Sequence, residues 1–283
     1  MDIGLGGDGY EMLMMITIFT IAGSAVYAAE IPVSDQDQLI TSNDWTEISN
    51  LQDEMKKEEP DATIDYDKAL KVYVDCNLIK LQTADTKKLT SALESANYVW
   101  VIPFKMEKTY GMFTVAKGLP LREEAKSVLT KAEQEEVKNH AGKWMITEIA
   151  EHTVEPYYDI LLEKREALSD CTRVVLVGSQ PGMRQPVALG MDDETARIWI
   201  SLGYQYPVME KIPETQNVES GVYSFDSVAE ISDTYIEDSE VSTGVGVQSR
   251  SSMKYVAGIG IVLIGGILIL SVLKKKKIRI KFF

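Results

Sequence analysis

The stretch YVWVIPF, residues 98–104, decides the fold class of this 283-residue chain. It is rich in β-branched and aromatic residues, and MFTVA at 112–116 follows it after a polar turn. Two such runs joined by a short turn predict a β-hairpin. Tyr98, Trp100 and Phe104 share one face of the first strand, because side chains alternate along a strand. This aromatic face is a candidate ligand-binding surface, and packing in the core is the alternative.

Helical and strand patterns surround the hairpin on both sides. YDKALKVYVDCNLIKL, residues 66–81, has apolar residues at near-helical spacing, which predicts an amphipathic helix. Asp85 or Thr86 is expected to begin a second helix that runs to Ala96. Further patterns predict helices at 121–140 and 155–168, and strands at 143–149, 172–178, 187–190 and 196–202. This mixture indicates an α+β fold with a mainly antiparallel sheet.

Composition divides the chain outside these patterns. The compact head domain is expected at residues 62–208, after a polar lead-in at 30–61 from which one helix is able to lie on the core. Residues 209–252 contain nine acidic and two basic residues and many small polar ones. Such a composition predicts a mostly irregular acidic stalk, with a short ordered piece at 222–231.

The last thirty residues predict a membrane anchor. Tyr255–Leu273 is a run of 19 residues without a charge, and as a helix it would span ~28 Å, about the thickness of the hydrocarbon core of a bilayer. The sequence thus predicts a transmembrane helix at 253–273 and a basic cytoplasmic tail at 274–283, with the preceding domain outside the cell. The cationic stop consists of Lys274, Lys275, Lys276 and Lys277.

The amino terminus predicts export. Residues 12–27, MLMMITIFTIAGSAVY, are typical of the apolar part of a secretory signal, so residues 1–29 are expected to be a signal peptide. Asp2, Asp8 and Glu11 stand where such a signal normally carries basic residues. Either translation begins at a later methionine, or the segment stays uncleaved as a second span.

The charge of the exported part limits its partners. Residues 30–252 carry 40 acidic and 22 basic side chains, a net charge of −18. Such a surface repels nucleic acid and anionic lipid, so we expect no nucleic-acid partner. The expected partners are the lipid bilayer, through the C-terminal helix, and a membrane or surface protein.

Two groups of residues are candidates for chemistry. Cys76 and Cys171 are the two cysteines of the chain, and they either form a disulfide or are two separate buried thiols. A dense patch of metal-ligating side chains is the candidate metal site, although HExxH and CxxC motifs are absent from the sequence. Its members are Glu148, Glu151, His152 and Glu155.

Catalytic motifs are missing from the sequence: it has no P-loop, GxSxG or post-strand GxGxxG. We therefore assign no catalytic residues and expect no cofactor. In layout the chain resembles the small, signal-bearing, C-terminally anchored surface proteins of Gram-positive bacteria, without an LPxTG-type sorting motif. This layout implies a single-pass surface protein that acts as a non-catalytic binding or interaction module, or as an accessory subunit of a membrane complex. A membrane-anchored extracellular hydrolase and a structural spacer are the alternatives.

Overall fold

The computed structural model describes residues 31–152, 155–178, 180, 183, 185–204 and 206–232. The predicted signal peptide, most of the predicted stalk and the predicted membrane helix lie outside these residues. Within the described ranges, every helix falls short of the length and apolar character that a membrane span requires.

One mixed sheet of ten strands organises the molecule, and nearly all neighbouring strands run antiparallel. The order is β5-β4-β3-β2-β6-β7-β8-β10-β9, and β1 pairs with β3 beside β2. The predicted α+β class and mainly antiparallel sheet are thereby confirmed. The strands are β1 (Thr63–Ile64), β2 (Leu70–Tyr73), β3 (Tyr98–Lys105), β4 (Tyr110–Lys117), β5 (Trp144–His152), β6 (Arg173–Val177), β7 (Val187–Met191), β8 (Ala196–Ser201), β9 (Asn217–Glu219) and β10 (Val222–Ser224).

Short helices cover the sheet, and local sequence signals explain several of their ends. The Asp85 side chain accepts a hydrogen bond from the Lys88 backbone N–H (3.1 Å) and caps α3. Thr130 and Glu133 form a capping box that begins α5, so the helix predicted at 121–140 is divided into two. The helices are α1 (Trp45–Ile48), α2 (Gln52–Glu58), α3 (Thr86–Glu94), α4 (Glu123–Lys126), α5 (Lys131–His140), α6 (Tyr157–Glu163) and a C-terminal helix at 225–232, with 3-10 turns at Ser49–Leu51, Tyr66–Lys68, Ile79–Leu81, Met209–Lys211 and Glu214–Gln216.

The helix predicted at 66–81 is wrong. The structure has a 3-10 turn, then β2, then a second 3-10 turn in its place. Leu70, Val72 and Val74 follow the two-residue period of a strand, and all three are buried. Strands β3 and β6 flank this segment on both sides, so pairing with them outweighs the local helical pattern.

The sheet has a different cover on each face. On one face, here called the α6 face, side chains such as Val72, Val101 and Leu176 pack under Tyr157 and Leu161 of α6. The opposite face carries two separate apolar clusters. The Trp100 cluster lies under α1 and α2 and includes Ile48, Met55, Trp100, Phe104 and Phe113. The Trp199 cluster lies under α3 and the helix at 225–232 and includes Leu89, Leu93, Val175, Trp199 and Phe225.

The packed unit extends beyond the expected bounds of 62–208 at both ends. Leu39, Ile48 and Met55 are fully buried, so the lead-in belongs to the core. At the other end β9, β10 and the helix at 225–232 continue the sheet and its cover. Phe225 stacks on Trp199 with ring centroids 5.8 Å apart. The sequence of these segments shows no clear amphipathic pattern. They pack on the apolar surface that the sheet provides.

Candidate functional site: the Lys71 cleft

A cleft of about 560 Å³ opens on the face opposite α6, where the helices that cover the sheet change from α1 and α2 to α3. Its floor is formed by Lys71 and Tyr73 of β2, Tyr98 of β3 and Arg173 of β6. Residues 34–36 form one wall, and residues 93–96, at the end of α3, contribute another. The cleft therefore lies between the Trp100 cluster and the Trp199 cluster, above the central strand. We call it the Lys71 cleft.

The N-terminal segment, residues 32–37, lies between β2 and β6 beside the cleft and hydrogen-bonds to both strands. β2 and β6 run parallel and pair at Val72–Leu176 and Tyr73–Val177. Before that point the N-terminal chain joins both strands: the N–H of Val174 donates to Pro32 (2.7 Å), and the N–H of Lys71 donates to the carbonyl of Asp37 (3.0 Å). These main-chain bonds bring Asp37 against the floor of the cleft.

Asp37 is the buried acceptor around which the floor is organised. Its side chain is only 3% exposed. It accepts hydrogen bonds from the Tyr73 hydroxyl (2.8 Å), from Arg173 Nη2 (3.0 Å) and from the Ser34 hydroxyl (2.6 Å). Burial of a carboxylate is tolerable because it is paired and hydrogen-bonded in this way. This network ties the N-terminal segment to the two central strands.

Lys71 holds an ammonium group in an aromatic setting. Its side chain is 11% exposed, and its Nζ lies 4.6 Å from the centroid of the Tyr98 ring and 5.3 Å from that of Trp100. These are cation–π distances. The nearest carboxylate oxygen, on Asp37, is 3.7 Å away, beyond normal hydrogen-bond distance. Burial lowers the pKa of Lys71, and Asp37 opposes that shift.

Arg173 contributes a second cation with unused donor capacity. Nη2 donates to Asp37 and lies 3.5 Å from the Tyr73 hydroxyl. The buried Nε has no acceptor among the residues that the structure describes. The floor thus has two cations and the two carboxylates of Asp37 and Asp44, and the N–H donors of Lys71 and Arg173 exceed the acceptors that these carboxylates offer them.

Asp44 fixes the aromatic part of the floor. Its carboxylate accepts hydrogen bonds from the Tyr98 hydroxyl (2.9 Å) and from Trp100 Nε1 (3.0 Å). Both rings are therefore held in place through their polar atoms, and Lys71 lies over them. A preorganised floor of this kind reduces the entropy lost when a ligand binds.

The predicted aromatic surface is divided by the structure between cleft and core. Tyr98 lines the cleft, and Trp100 lies beneath Lys71 although its side chain is fully buried. Phe104 packs against Phe113 with ring centroids 4.6 Å apart and takes no part in the cleft. Of the three predicted residues, only Tyr98 therefore lines the cleft.

The predicted metal patch is spread over β5 and the following chain. Glu148 and Glu151 lie on opposite faces of β5, because they are three positions apart in regular pairing with β4. Glu155 is exposed before α6, and the side chain of His152 lies outside the described part of the structure. Across the residues that the structure does describe, groups of three or more metal-ligating side chains are absent.

The two cysteines are free thiols on opposite faces of the sheet. Cys171 packs in the α6 face, whereas Cys76 packs against the Trp199 cluster. Burial raises the pKa of both thiols to about 11, so they remain protonated near neutral pH. The two thiols are separate in the structure, with Cys171 buried and Cys76 partly buried.

Sequence reasoning missed Asp37, Lys71 and Arg173. A signal was present in LKVYV at 70–74, where one lysine interrupts an apolar strand pattern. Read as a helix, that lysine falls on the solvent face and attracts no attention. Read as a central strand, it is a buried charge, which requires a partner or a function.

The comparisons with known proteins returned no relative: no family model, curated protein or solved structure matches this chain. The function of the protein is therefore inferred from the geometry of the Lys71 cleft.

Proposed function

We propose that this protein is a membrane-anchored, extracytoplasmic binding module, and that its ligand is a small solute with an anionic, acceptor-rich group held in the Lys71 cleft. The anchor and the orientation rest on the sequence of residues 253–283. The site rests on the geometry of Lys71, Arg173 and Asp37.

The observation that carries the proposal is the surplus of donors on the cleft floor. Lys71 has three N–H donors, and its nearest carboxylate oxygen is 3.7 Å away. Arg173 donates through Nη2 to Asp37, and its side chain is 24% exposed. A carboxylate or phosphate oxygen in the cleft would accept charge-assisted hydrogen bonds from Lys71 and from the exposed part of the Arg173 guanidinium.

The surrounding charge makes this floor distinctive. Residues 30–252 carry a net charge of −18, which disfavours anions at most of the surface. Two clustered cations with low exposure therefore favour an anion locally, against the net negative charge of residues 30–252. The cleft volume, about 560 Å³, is in the range of small-molecule sites.

The test uses the full-length protein in detergent, with acetate and inorganic phosphate as probes at constant ionic strength. We expect both probes to raise the unfolding temperature saturably, because a ligand that binds the folded state stabilises it. Lys71→Met, which keeps the length of the side chain and removes its charge, should weaken binding about tenfold or more.

Lys117→Met is the matched control. Lys117 also lies over an indole ring, that of Trp144, with Nζ 5.5 Å from the ring centroid, but it is exposed and lies outside the cleft. If Lys71→Met and Lys117→Met respond to the probes in the same way as the unsubstituted protein, the proposed function is wrong.

A further inference from the structure

The walls of the Lys71 cleft carry the opposite charge to its floor. Asp35 lies in one wall, at the turn that precedes Asp37, and Glu94 lies in another, at the end of α3. Both residues are exposed. In the described residues, neither carboxylate forms an ion pair with a basic side chain.

The cleft is therefore dipolar along its depth. Lys71 and Arg173 at the floor leave donors unfilled, and Asp35 and Glu94 at the rim leave acceptors unfilled. The rings of Tyr73 and Tyr98 share the floor with these cations and provide apolar surface with fixed hydroxyl groups. A ligand that matches this order has an anionic end, a short uncharged middle and a cationic end.

We infer that the natural ligand is a zwitterion in which an amine and a carboxylate are separated by several bonds, as in a short peptide. Its carboxylate lies on Lys71 and Arg173, and its ammonium group lies between Asp35 and Glu94. This inference rests on the proposed function and adds the chemical class of the ligand to it.

A simple anion uses only half of this site. Acetate and phosphate fill the donors of the floor but leave the rim carboxylates unpaired, and an anion too large for the floor would approach those carboxylates unfavourably. A cation alone would meet the acidic rim but would be repelled by Lys71 and Arg173. The pairing of both ends thus provides specificity through attraction and repulsion together.

The experiment compares three related probes by calorimetry on the full-length protein in detergent: trialanine, N-acetyl-trialanine and trialanine amide. The acetyl derivative lacks the cation, and the amide lacks the anion. We expect trialanine to bind about two- to five-fold more tightly than N-acetyl-trialanine, the range for exposed ion pairs. The amide should show the largest loss, because it has no group for the floor.

Substitutions at the rim test whether the preference for the free amine comes from Asp35 and Glu94 or from the net negative charge of the whole protein. In the double variant Asp35→Asn, Glu94→Gln, trialanine and N-acetyl-trialanine should bind with equal affinity. Glu54→Gln is the control, because Glu54 is an exposed residue of α2 outside the cleft. It should keep the preference for the free amine.

The outcomes distinguish the two proposals. If acetate binds at Lys71 but the three-probe series shows no preference for the free amine, the zwitterion inference is wrong and the proposed function stands. The inference is also wrong if Glu54→Gln removes the preference as fully as the rim variant does. If the amide binds as tightly as trialanine, the floor does not select an anion, and both proposals fail.

Discussion

Asp37 and Glu148 lie on opposite faces of the same sheet, and they are surrounded in different ways. Asp37 is enclosed by two cations and two hydroxyl donors. Glu148 is partly buried on the α6 face, and its closest donor is the Thr114 hydroxyl at 3.5 Å. In the described residues no basic side chain forms an ion pair with it.

The different surroundings of Asp37 and Glu148 give these two acidic residues different roles in stability. Burial raises the pKa of Glu148, and the Thr114 hydrogen bond opposes that shift only partly. The nearby hydroxyls of Tyr157 and Tyr204 lie 3.5 Å apart and supply no positive charge. Asp37 therefore stabilises the fold as the shared acceptor of an ion-pair and hydrogen-bond network, whereas Glu148 lies in surroundings that disfavour its ionised form.

Removal of the Asp37 charge should give the largest effect. Asp37→Asn leaves Lys71 and Arg173 without their anionic partner, and breaking a buried ion pair costs about 3–5 kcal/mol. We expect about 3 kcal/mol, the low end, because the Arg173 side chain is 24% exposed. Urea denaturation of the full-length protein in detergent measures this loss.

Asp35→Asn is the control for that measurement. Asp35 is two residues away and exposed, so its substitution should change the unfolding free energy by no more than about 0.5 kcal/mol. Equal losses in the two variants would show that Asp37 is not the acceptor on which the N-terminal segment depends.

The same substitution at two tyrosines, one on each face of the sheet, compares the stability that each hydroxyl contributes. Tyr73→Phe removes a hydroxyl that donates to the Asp37 carboxyl group at 2.8 Å, and hydrogen bonds to charged groups contribute about 1.5–3 kcal/mol. Tyr157→Phe removes one partner of a 3.5 Å contact between two hydroxyls, so about 0.5 kcal/mol is expected. Denaturation midpoints of the two variants test the order, and a larger loss at Tyr157 would contradict it.

The pH dependence of stability tests the surroundings of Glu148. A folded-state pKa raised above the unfolded value means that the folded state binds the proton more tightly. The contribution of Glu148 is therefore fully present below its unfolded pKa of about 4.3 and is lost as pH rises through its raised folded pKa. We expect Glu148→Gln to lose less stability than the unsubstituted protein over that window.

Unfolding free energies measured from pH 4 upward check this expectation. Thr147→Ala offers a control on the same strand, because the Thr147 hydroxyl donates to a backbone carbonyl and does not titrate. A difference between Glu148→Gln and the unsubstituted protein that stays constant with pH would mean that Glu148 has no such role.

The smallest effect is expected at the ion pair between α6 and the 3-10 turn that precedes β2. Lys68 Nζ lies 2.8 Å from Asp159 of α6, and the two side chains are 34% and 28% exposed. Lys68→Met should cost about 0.2–1 kcal/mol at low salt, and the cost should disappear at high salt. Denaturation at two ionic strengths measures both values. A loss that persists in high salt would indicate packing rather than charge.

The elements that local sequence determines were predicted well. The hairpin of β3 and β4, the cap of α3 by Asp85 and the later strands follow from side-chain periods and capping residues within a few positions. The segment at 66–81 was assigned to a helix because its apolar residues fit two periods at once. Only its neighbours β3 and β6 select the strand.

The same limit applies to the site. Tyr98 was predicted as a ligand-binding residue from its aromatic strand, but Asp37, Lys71 and Arg173 were not. Asp37 and Arg173 are 136 positions apart in the chain and meet only because the N-terminal segment joins β2 and β6. No local pattern records such a contact.

Composition and short-range pattern establish the α+β class, the β3–β4 hairpin and the cap of α3, and they support the expectation of an anchored, acidic surface protein. These properties depend on composition and on short-range periodicity, which each segment carries alone. The tertiary structure decided which charges are buried together and where the cover of the sheet leaves a cleft. The physical reason is that a charge acquires its role from partners and solvent exclusion, and distant segments supply both.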